Sequence, residues 1–328
     1  MSEGASFGTV PQGAREHTAA VQEAAATTAG GPPPAGRPRV PFAPYLFLLP
    51  YFAVTGVFFL WPLIYASRLA FQQTSGTTAR TFVGLANFTF ILGDTDFYTA
   101  LRNTLFFAVC SILIQLPLSL GLAMLLNSGE SRAKGVFRLI IFSPNLVGQV
   151  FVGILFAMLF TPRFGLFNRG LQSLIGWGLE EEWLSDPSLV MPAVVIAAMW
   201  IYVGFNMIYF LAALQGVDKS LVEAAKIDGA SPWQQFLNVT VPAIMPVITF
   251  VVVMSTIGSF QLFELPYVLL QGYGPNNSGM TIVGYLYSYA FEQGDLGTAA
   301  AVGWLITIII LSISLVQIVV TRKFGSTT

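Results

Sequence analysis

Six apolar stretches, each of about 20 residues, dominate this sequence and restrict it to one kind of fold. At 1.5 Å per residue, a helix of that length matches the roughly 30 Å hydrocarbon core of a bilayer. Inside lipid every backbone N–H and C=O group needs an internal partner, which a helix supplies within itself. We therefore predict an all-α integral membrane protein with six transmembrane helices, near 43–66, 105–126, 137–160, 190–214, 242–264 and 299–320.

Composition excludes several functional classes. Of the 328 residues, 55% are hydrophobic and only 9% are charged, against about 25% charged in soluble proteins. A net charge of −1, without basic runs, argues against nucleic acid as a partner. The single cysteine, Cys110, and the single histidine, His17, cannot assemble a disulfide or a Cys/His metal cluster. No Gly-x4-Gly-Lys loop occurs, so we expect this chain to bind no ATP. We also expect no metal site and no catalytic residues in it.

The two ends of the chain are expected to lie outside the helical domain. Residues 1–41 are rich in Ala, Gly, Thr and Pro, which favours a disordered N-terminal tail. We expect the transmembrane domain to span 42–324, with 325–328 as a short C-terminal tail, and the first apolar run to remain as an uncleaved helix. With both termini in the cytoplasm, ten Lys and Arg residues fall inside and five outside, as the positive-inside rule favours.

The loop between the fourth and fifth apolar stretches, residues 216–242, has the pattern of a helix, a turn and a second helix. Either Asp218 or Ser220 can cap the first helix, and Ser220 with Glu223 would form a capping box. Gly229 then supplies the left-handed position that ends the helix.

The second helix of this loop has equally clear start signals. Ser231 is followed by Pro232 at the first helical position and by Gln234, which completes a Ser-x-x-Gln box. The two helices present an apolar ridge that suits insertion into a partner's groove: Leu221, Ala224, Ala225, Ile227, Phe236 and Val239. Capping alone leaves open a second interpretation, an amphipathic connector that lies against its own bundle.

The spacing within the loop is more specific than its caps. Glu223-Ala-Ala, three residues, Gly229, nine residues and Val239-x-Val-Pro242 resemble the Glu-Ala-Ala loop of binding-protein-dependent ABC permeases. The two valines replace Ile and Leu of that pattern. In that family the loop docks into a cleft on an ATPase subunit, so the resemblance implies a coupling role for Glu223, Ala224, Ala225 and Gly229.

Further motifs resemble the maltose-type and oligosaccharide-type permeases within that family. These are Trp183–Pro187, Gly258–Glu264 and Gly272–Pro275, the last with Tyr273 inside a Gly-Gly-Pro element. The resemblance implies the type I ABC importer permease fold and alternating-access import of a carbohydrate across the cytoplasmic membrane. It also implies a second permease subunit, two ATPase subunits that carry ATP and Mg, and an external solute-binding protein.

The same resemblance implies a substrate site within the third, fourth and fifth spans. Its positions correspond to Asn145, Gln149, Tyr202, Phe205, Thr256, Phe260 and Phe263. For the aromatic residues the alternative is contact with lipid or another helix, and for the two amides it is a hydrogen bond to a neighbouring helix. Glu264 lies either at membrane depth or at the outer interface.

Two other functions remain possible from the residues alone. A secondary transporter could use Asn145, Gln149 and Glu264 for ion coupling, but it gives no reason for the Glu-Ala-Ala loop. A membrane-embedded enzyme would need a nucleophile, a base or a metal set at membrane depth, where no histidine and no second acid accompany Glu264.

Overall fold

A computed structural model describes residues 43–75, 79–127, 134–176 and 180–325, with four isolated positions nearer the N-terminus. The described chain falls into two units, one that ends at Pro62 and one that begins at Leu63. The predicted tail of residues 1–41 lies, apart from those four positions, outside the described residues, and so do 326–328 of the predicted C-terminal tail.

Five helices are long and apolar enough to cross a membrane, and a bent helix pair makes a sixth candidate span. The long helices, in chain order and with the labels used below, are α1 (Leu46–Leu69, its first turn from Ala43), α3 (Thr95–Asn127), α7 (Pro187–Gln215), α9 (Pro232–Phe260) and α12 (Leu296–Gly325). Five predicted spans are thereby confirmed as helices. Each helix begins before its predicted start or ends after its predicted end. The predicted membrane fold is confirmed in these segments.

The third predicted span, 137–160, is not one straight helix. It consists of α4 (Lys134–Phe142), a 3₁₀ turn (Ser143–Leu146) and α5 (Gln149–Leu159), and the two helices are bent by 99° at the break. Pro144 cannot donate a backbone hydrogen bond, and extended Val147 and Gly148 separate the two helices. The two helices together bring the number of spans to the predicted six if the bent pair is counted as one interrupted span.

Shorter elements lie between the long helices. They are a hairpin of β1 (Gln72–Ser75) and β2 (Ala79–Phe82), then α2 (Ala86–Gly93), α6 (Leu166–Ile175), α8 (Lys219–Ile227), α10 (Glu264–Leu269) and α11 (Ile282–Tyr287). The hairpin, in which Gln72 pairs with Phe82, departs from the expected all-α fold. Asn87 fixes it by donating to the carbonyls of Ala70 (2.9 Å) and Gln72 (3.0 Å).

Side-chain hydrogen bonds join the elements at the end of the bundle remote from α8. The Asp94 carboxylate caps α3 and accepts from the hydroxyls of Tyr285 (2.7 Å) and Tyr289 (3.2 Å). Asp295 accepts from Thr74 at 3.0 Å and also caps the start of α12. These contacts connect α3, α11, the hairpin and α12, and we call this the far end of the bundle.

Helix α7 lies at the centre of the second unit. It packs against α3, α4, α5 and α9, and its buried residues belong to two of the hydrophobic clusters. At Gly204 the backbone carbonyl of Ile141 in α4 lies so close that a Cβ atom would clash with it. Glycine is therefore required for α4 to approach α7.

Substituting Gly204 tests this close approach. Gly204→Ala should lower stability by about 1–3 kcal/mol, because α4 and α7 must separate to admit the methyl group. The matched control is Gly121→Ala in α3, where a Cβ meets nothing within 4 Å, so its melting temperature should stay unchanged or rise slightly. Thermal unfolding of the purified protein measures both, and equal melting temperatures would contradict the assignment.

Candidate functional site

The helix α8 is defined at both ends by specific caps. Of the two candidate N-caps, Asp218 is the one used: its carboxylate accepts from the backbone N–H of Ser220 at 2.8 Å. At the other end Gly229 has φ +80°, and the N–H groups of Gly229 and Ala230 donate to the carbonyls of Lys226 (3.2 Å) and Ala225 (3.0 Å). That pair of bonds is the Schellman motif, which confirms the predicted role of Gly229 in ending the helix.

The second helix of the loop begins with the predicted capping box. Ser231 accepts from the N–H of Gln234 at 3.3 Å, and the Gln234 side chain accepts from the N–H of Ser231 at 2.8 Å. From Pro232 the chain passes through a π-helical turn, Phe236–Thr240, and continues as α9 to Phe260. One helix thus runs from this loop to the far end of the bundle.

The loop presents an exposed surface. Helix α8 packs on the first turns of α9, where Ala225, Phe236 and Val239 are partly buried. Glu223 and Ala224 are exposed, as are Leu221 (55%) and Ile227 (87%). Apolar side chains left this open beside an acidic residue indicate a surface that a partner covers.

A cavity of about 190 Å³ lies between α3, α7 and α9. Its described lining is aromatic and polar but uncharged: Phe107, Ser111, Gln115, Tyr202, Phe205, Asn206, Tyr209, Phe250, Val251, Met254, Ser255, Gly258 and Ser259. Aromatic walls with a few convergent polar groups are typical of small-molecule sites. The volume is below the roughly 300–1,000 Å³ of a complete ligand pocket.

Two local features direct side chains into this cavity. On α7, Tyr202, Phe205, Asn206 and Tyr209 follow helical spacing and therefore share one face, where the rings of Phe205 and Tyr209 lie 5.2 Å apart. In α3 the helix widens into a π-helical turn at Ser111–Gln115, whose first and last residues both line the cavity. Such π-helical turns are frequent at functional sites.

The structure brings only part of the expected substrate site to the cavity. Tyr202 and Phe205 line it. Thr256 instead accepts a hydrogen bond from Gln317 of α12 at 2.8 Å, and Phe260 is 1% exposed in a hydrophobic cluster with α3, α11 and α12. Phe263 packs on Tyr287 with ring centroids 4.7 Å apart. These three positions therefore do not line the cavity.

The remaining polar candidates lie beside the cavity rather than in its wall. Asn145 and Gln149 are half-buried at the bend between α4 and α5. Glu264 is exposed in the first turn of α10, just beyond the break that ends α9. A contact of Asn145 or Gln149 with substrate stays a prediction.

Sequence reasoning missed the two buried amides of the cavity, Gln115 and Asn206, which are 3% and 7% exposed. A signal for both was present. Asn206 follows Tyr202 by four residues, which places it on the same helix face. Gln115 is a polar residue in the middle of an apolar span, and such residues normally face the bundle interior.

A comparison with known protein families identifies the family of this chain. Residues 115–325, more than half of the chain, match the family described as "Binding-protein-dependent transport system inner membrane component". This chain belongs to that family. It is an inner membrane permease whose transport depends on a binding protein, and the resemblance inferred from the Glu-Ala-Ala loop is confirmed.

Curated relatives share most of the permease's length. The arabinooligosaccharides transport system permease protein AraP of Bacillus subtilis is 37% identical, over 86% of this chain and 89% of that protein. The lactose transport system permease protein LacF of Rhizobium radiobacter is 36% identical, over 85% and 94%. The sn-glycerol-3-phosphate transport system permease protein UgpA of Agrobacterium fabrum is 32% identical, over 84% and 92%. These relatives are transport permeases, which decides against the enzyme and secondary-transporter alternatives.

Solved structures confirm the permease fold. A chain of a bacterial ABC transporter involved in the import of the acidic polysaccharide alginate superposes with a TM-score of 0.74 at 24% identity, covering 86% of this chain and 96% of that chain. A second structure, of the alginate transporter in complex with an alginate pentasaccharide-bound periplasmic protein, gives the same TM-score and identity. The permease has the fold of these importer subunits.

Replacing Gly229 tests the Schellman motif of the permease. Gly229→Ala should destabilise the loop by about 1 kcal/mol, because a Cβ atom disfavours positive φ, whereas Gly229→Asn should cost less. The control is Gly216→Ala, where φ is −84°. Hydrogen exchange of the amides in 219–227 measures the effect, and equal exchange in the Gly229→Ala and Gly216→Ala variants would contradict it.

Acid should loosen the start of α8. The hydrogen bond from the backbone N–H of Ser220 lowers the pKa of Asp218 below its ordinary value of 3.8. Because the folded pKa is the lower one, the cap stabilises the helix above about pH 4 and loses that contribution as pH falls through the folded pKa. Amide protection in 219–223 should therefore drop in acid, and the drop should be smaller in Asp218→Asn, which caps without titrating. Identical pH profiles would contradict this assignment.

Proposed function

We propose that this chain is one of two permease subunits of an ATP-driven importer of a sugar or oligosaccharide, and that it couples to separate ATPase subunits through the loop at 216–242. The observation that carries the proposal is that the exposed helix α8 and the cavity are joined by one helix, α9. In this proposal both termini and the loop lie in the cytoplasm. ATP and Mg bind to the ATPase subunits.

The loop has the properties that docking to a partner requires. Its two helices are fixed by caps at Asp218, Gly229 and Ser231, so the exposed Glu223 and Ala224 are held in a defined geometry. A rigid surface loses little conformational entropy when it binds. We infer that Glu223, Ala224, Ala225 and Gly229 are the coupling residues, as in the family resemblance.

Movement of the loop would reach the cavity through α9. This helix has 29 residues and therefore spans roughly 40 Å. Its second half contributes Phe250, Ser255 and Ser259 to the cavity wall. A displacement of α8 by an ATPase subunit is transmitted along α9 to these side chains, which is what alternating access needs.

The chemistry of the cavity favours a carbohydrate as the cargo. Sugars offer hydroxyl groups to amides and hydroxyls, and C–H faces to aromatic rings, and the cavity supplies both kinds of partner. A phosphate, as in the cargo named for UgpA, is usually held by Arg or Lys, and the described lining contains neither. The small cavity volume fits a half-site that the second permease subunit completes.

Coupling is tested in the complete transporter, purified with its co-expressed subunits and supplied with its binding protein and a sugar panel. Glu223→Ala should reduce sugar-stimulated ATPase activity at least tenfold, because the loop no longer docks correctly. The control Glu182→Ala removes an exposed acid near the start of α7 and should leave the activity unchanged. An unaffected Glu223→Ala transporter would overturn the coupling role.

The cavity is tested by Gln115→Leu, a change of similar volume that removes the hydrogen-bonding amide from an apolar helix. Loss of one or two hydrogen bonds to a sugar should raise the KM for uptake about 2- to 20-fold while basal ATPase activity stays unchanged. Gln172→Leu on the exposed face of α6 is the matched control. A KM equal to that of the wild type would place the substrate elsewhere.

A further inference from the structure

Beyond the end of α9, four aromatic side chains come together outside the cavity. The ring centroids of Tyr267 and Tyr273 are 5.5 Å apart, those of Tyr267 and Tyr287 are 5.5 Å apart, and those of Tyr287 and Phe291 are 4.9 Å apart. We call Tyr267, Tyr273, Tyr287 and Phe291 the aromatic platform. They lie at the far end of the bundle, opposite the coupling loop.

The platform is open to a ligand. Phe291 is 73% exposed, and the three tyrosines are only half-buried. A single exposed aromatic ring is ordinary on a protein surface, but a contiguous run of them marks an interaction site.

A carboxylate is built into this platform. Glu292 is exposed and accepts a hydrogen bond from the Tyr273 hydroxyl at 2.9 Å. Burial, and then the bond to Glu292, raise the pKa of Tyr273, so the phenol remains the donor at neutral pH. A carboxylate has about four acceptor positions, and those that tyrosine leaves unused can accept from ligand hydroxyls.

The loop that carries Tyr273 has an uncommon backbone conformation. Gln271, Asn276 and Asn277 have φ values of 53°, 52° and 57°, in the left-handed region that non-glycine residues rarely adopt. The hydroxyl of Thr281 donates to the carbonyl of Leu262 at 2.7 Å and so ties this loop to the end of α9. Strain of this kind persists where the surrounding structure fixes it, and it clusters at ligand sites.

The platform follows the cavity wall closely along the chain. Phe263 packs on both Tyr267 (5.1 Å) and Tyr287 (4.7 Å), and it lies four residues after Ser259, which lines the cavity. The chain segment that ends α9 therefore leads from the cavity wall to the platform.

We propose that the aromatic platform and Glu292 form a second carbohydrate subsite, which takes a neutral sugar ring before it enters the cavity. The inference rests on the proposed function and adds a site to it. Aromatic faces pack against the C–H face of the ring, and Glu292 accepts from its hydroxyls. The charges of Glu292 and Glu264 disfavour uronic acids and sugar phosphates, because like charges repel.

The first test locates bound sugar directly. The complete transporter, purified without binding protein, is irradiated with a neutral arabinotriose that carries a diazirine, and labelled peptides are mapped after peptic digestion. We expect label within 287–293 and also in the cavity segment 202–209. Excess unlabelled arabinotriose should remove the label, whereas trigalacturonate should not.

The second test uses exposed side chains whose replacement leaves the fold intact. Phe291→Ala should raise the KM for arabinotriose uptake about three- to tenfold, because one aromatic contact is lost. The matched control is Phe82→Ala on the hairpin, also at the far end and 78% exposed, which should leave KM unchanged. Glu292→Gln should allow trigalacturonate to compete for labelling.

The outcomes separate this subsite from the proposed function. Label in 202–209 without label in 287–293 would overturn the subsite and leave the importer proposal intact. Equal changes in KM for Phe291→Ala and Phe82→Ala would also overturn it. A third outcome is label in neither segment, together with cross-linking of added binding protein to a photoreactive residue placed at position 291. That outcome would identify the platform as a protein docking surface instead. Failure of the wild-type transporter to import any sugar would refute the importer proposal, whatever the labelling shows.

Discussion

Inside lipid, every backbone N–H and C=O group needs a hydrogen-bond partner within the protein, and the rest of this structure depends on that constraint. It forces the apolar segments into helices and allows irregular backbone only where protein or water covers it. The two interruptions at Ser143–Leu146 and after Phe260 obey this rule, because each lies against neighbouring helices. The first interruption packs against α7 and the second ends α9, and both of these helices line the cavity.

In the loop at 216–242, local sequence signals are enough to place the helix ends that carry the exposed surface. Asp218, the Schellman turn at Gly229 and the capping box at Ser231 fix both ends of α8 and the start of α9. These signals are local, and therefore most of the loop could be predicted from sequence. Asp218 caps α8 in place of the predicted Ser220–Glu223 box. Of the predicted ridge, Leu221, Ala224 and Ile227 are exposed, whereas the other three residues are partly buried against α9.

The cavity was less predictable, and the reason is physical. Helix α9 is apolar all round, so its sequence has no periodicity that says which face meets α7 and which meets α12. The family resemblance assigned Thr256 and Phe260 to the substrate, while the structure directs them to Gln317 and to the cluster around Tyr285. The same resemblance assigned Tyr202 and Phe205 to the substrate; both line the cavity, and their contact with a substrate stays a prediction. Pro144 marks the break in the sequence, but no local pattern gives its 99° angle or the hairpin.

The uncharged lining of the cavity has a kinetic consequence. Charged sites attract their ligands over a distance of about a Debye length, roughly 8 Å at physiological salt, and hold them through interactions that water must later replace. The described lining of the cavity between α3, α7 and α9 offers only short-range contacts, so a cargo bound there, as proposed, would arrive without steering and leave without breaking an ion pair. A carrier that must release what it binds in every cycle gains from such weak retention. Selectivity among cargoes would then depend on shape and hydrogen-bond geometry, and on the binding protein that brings the cargo to the far end of the bundle.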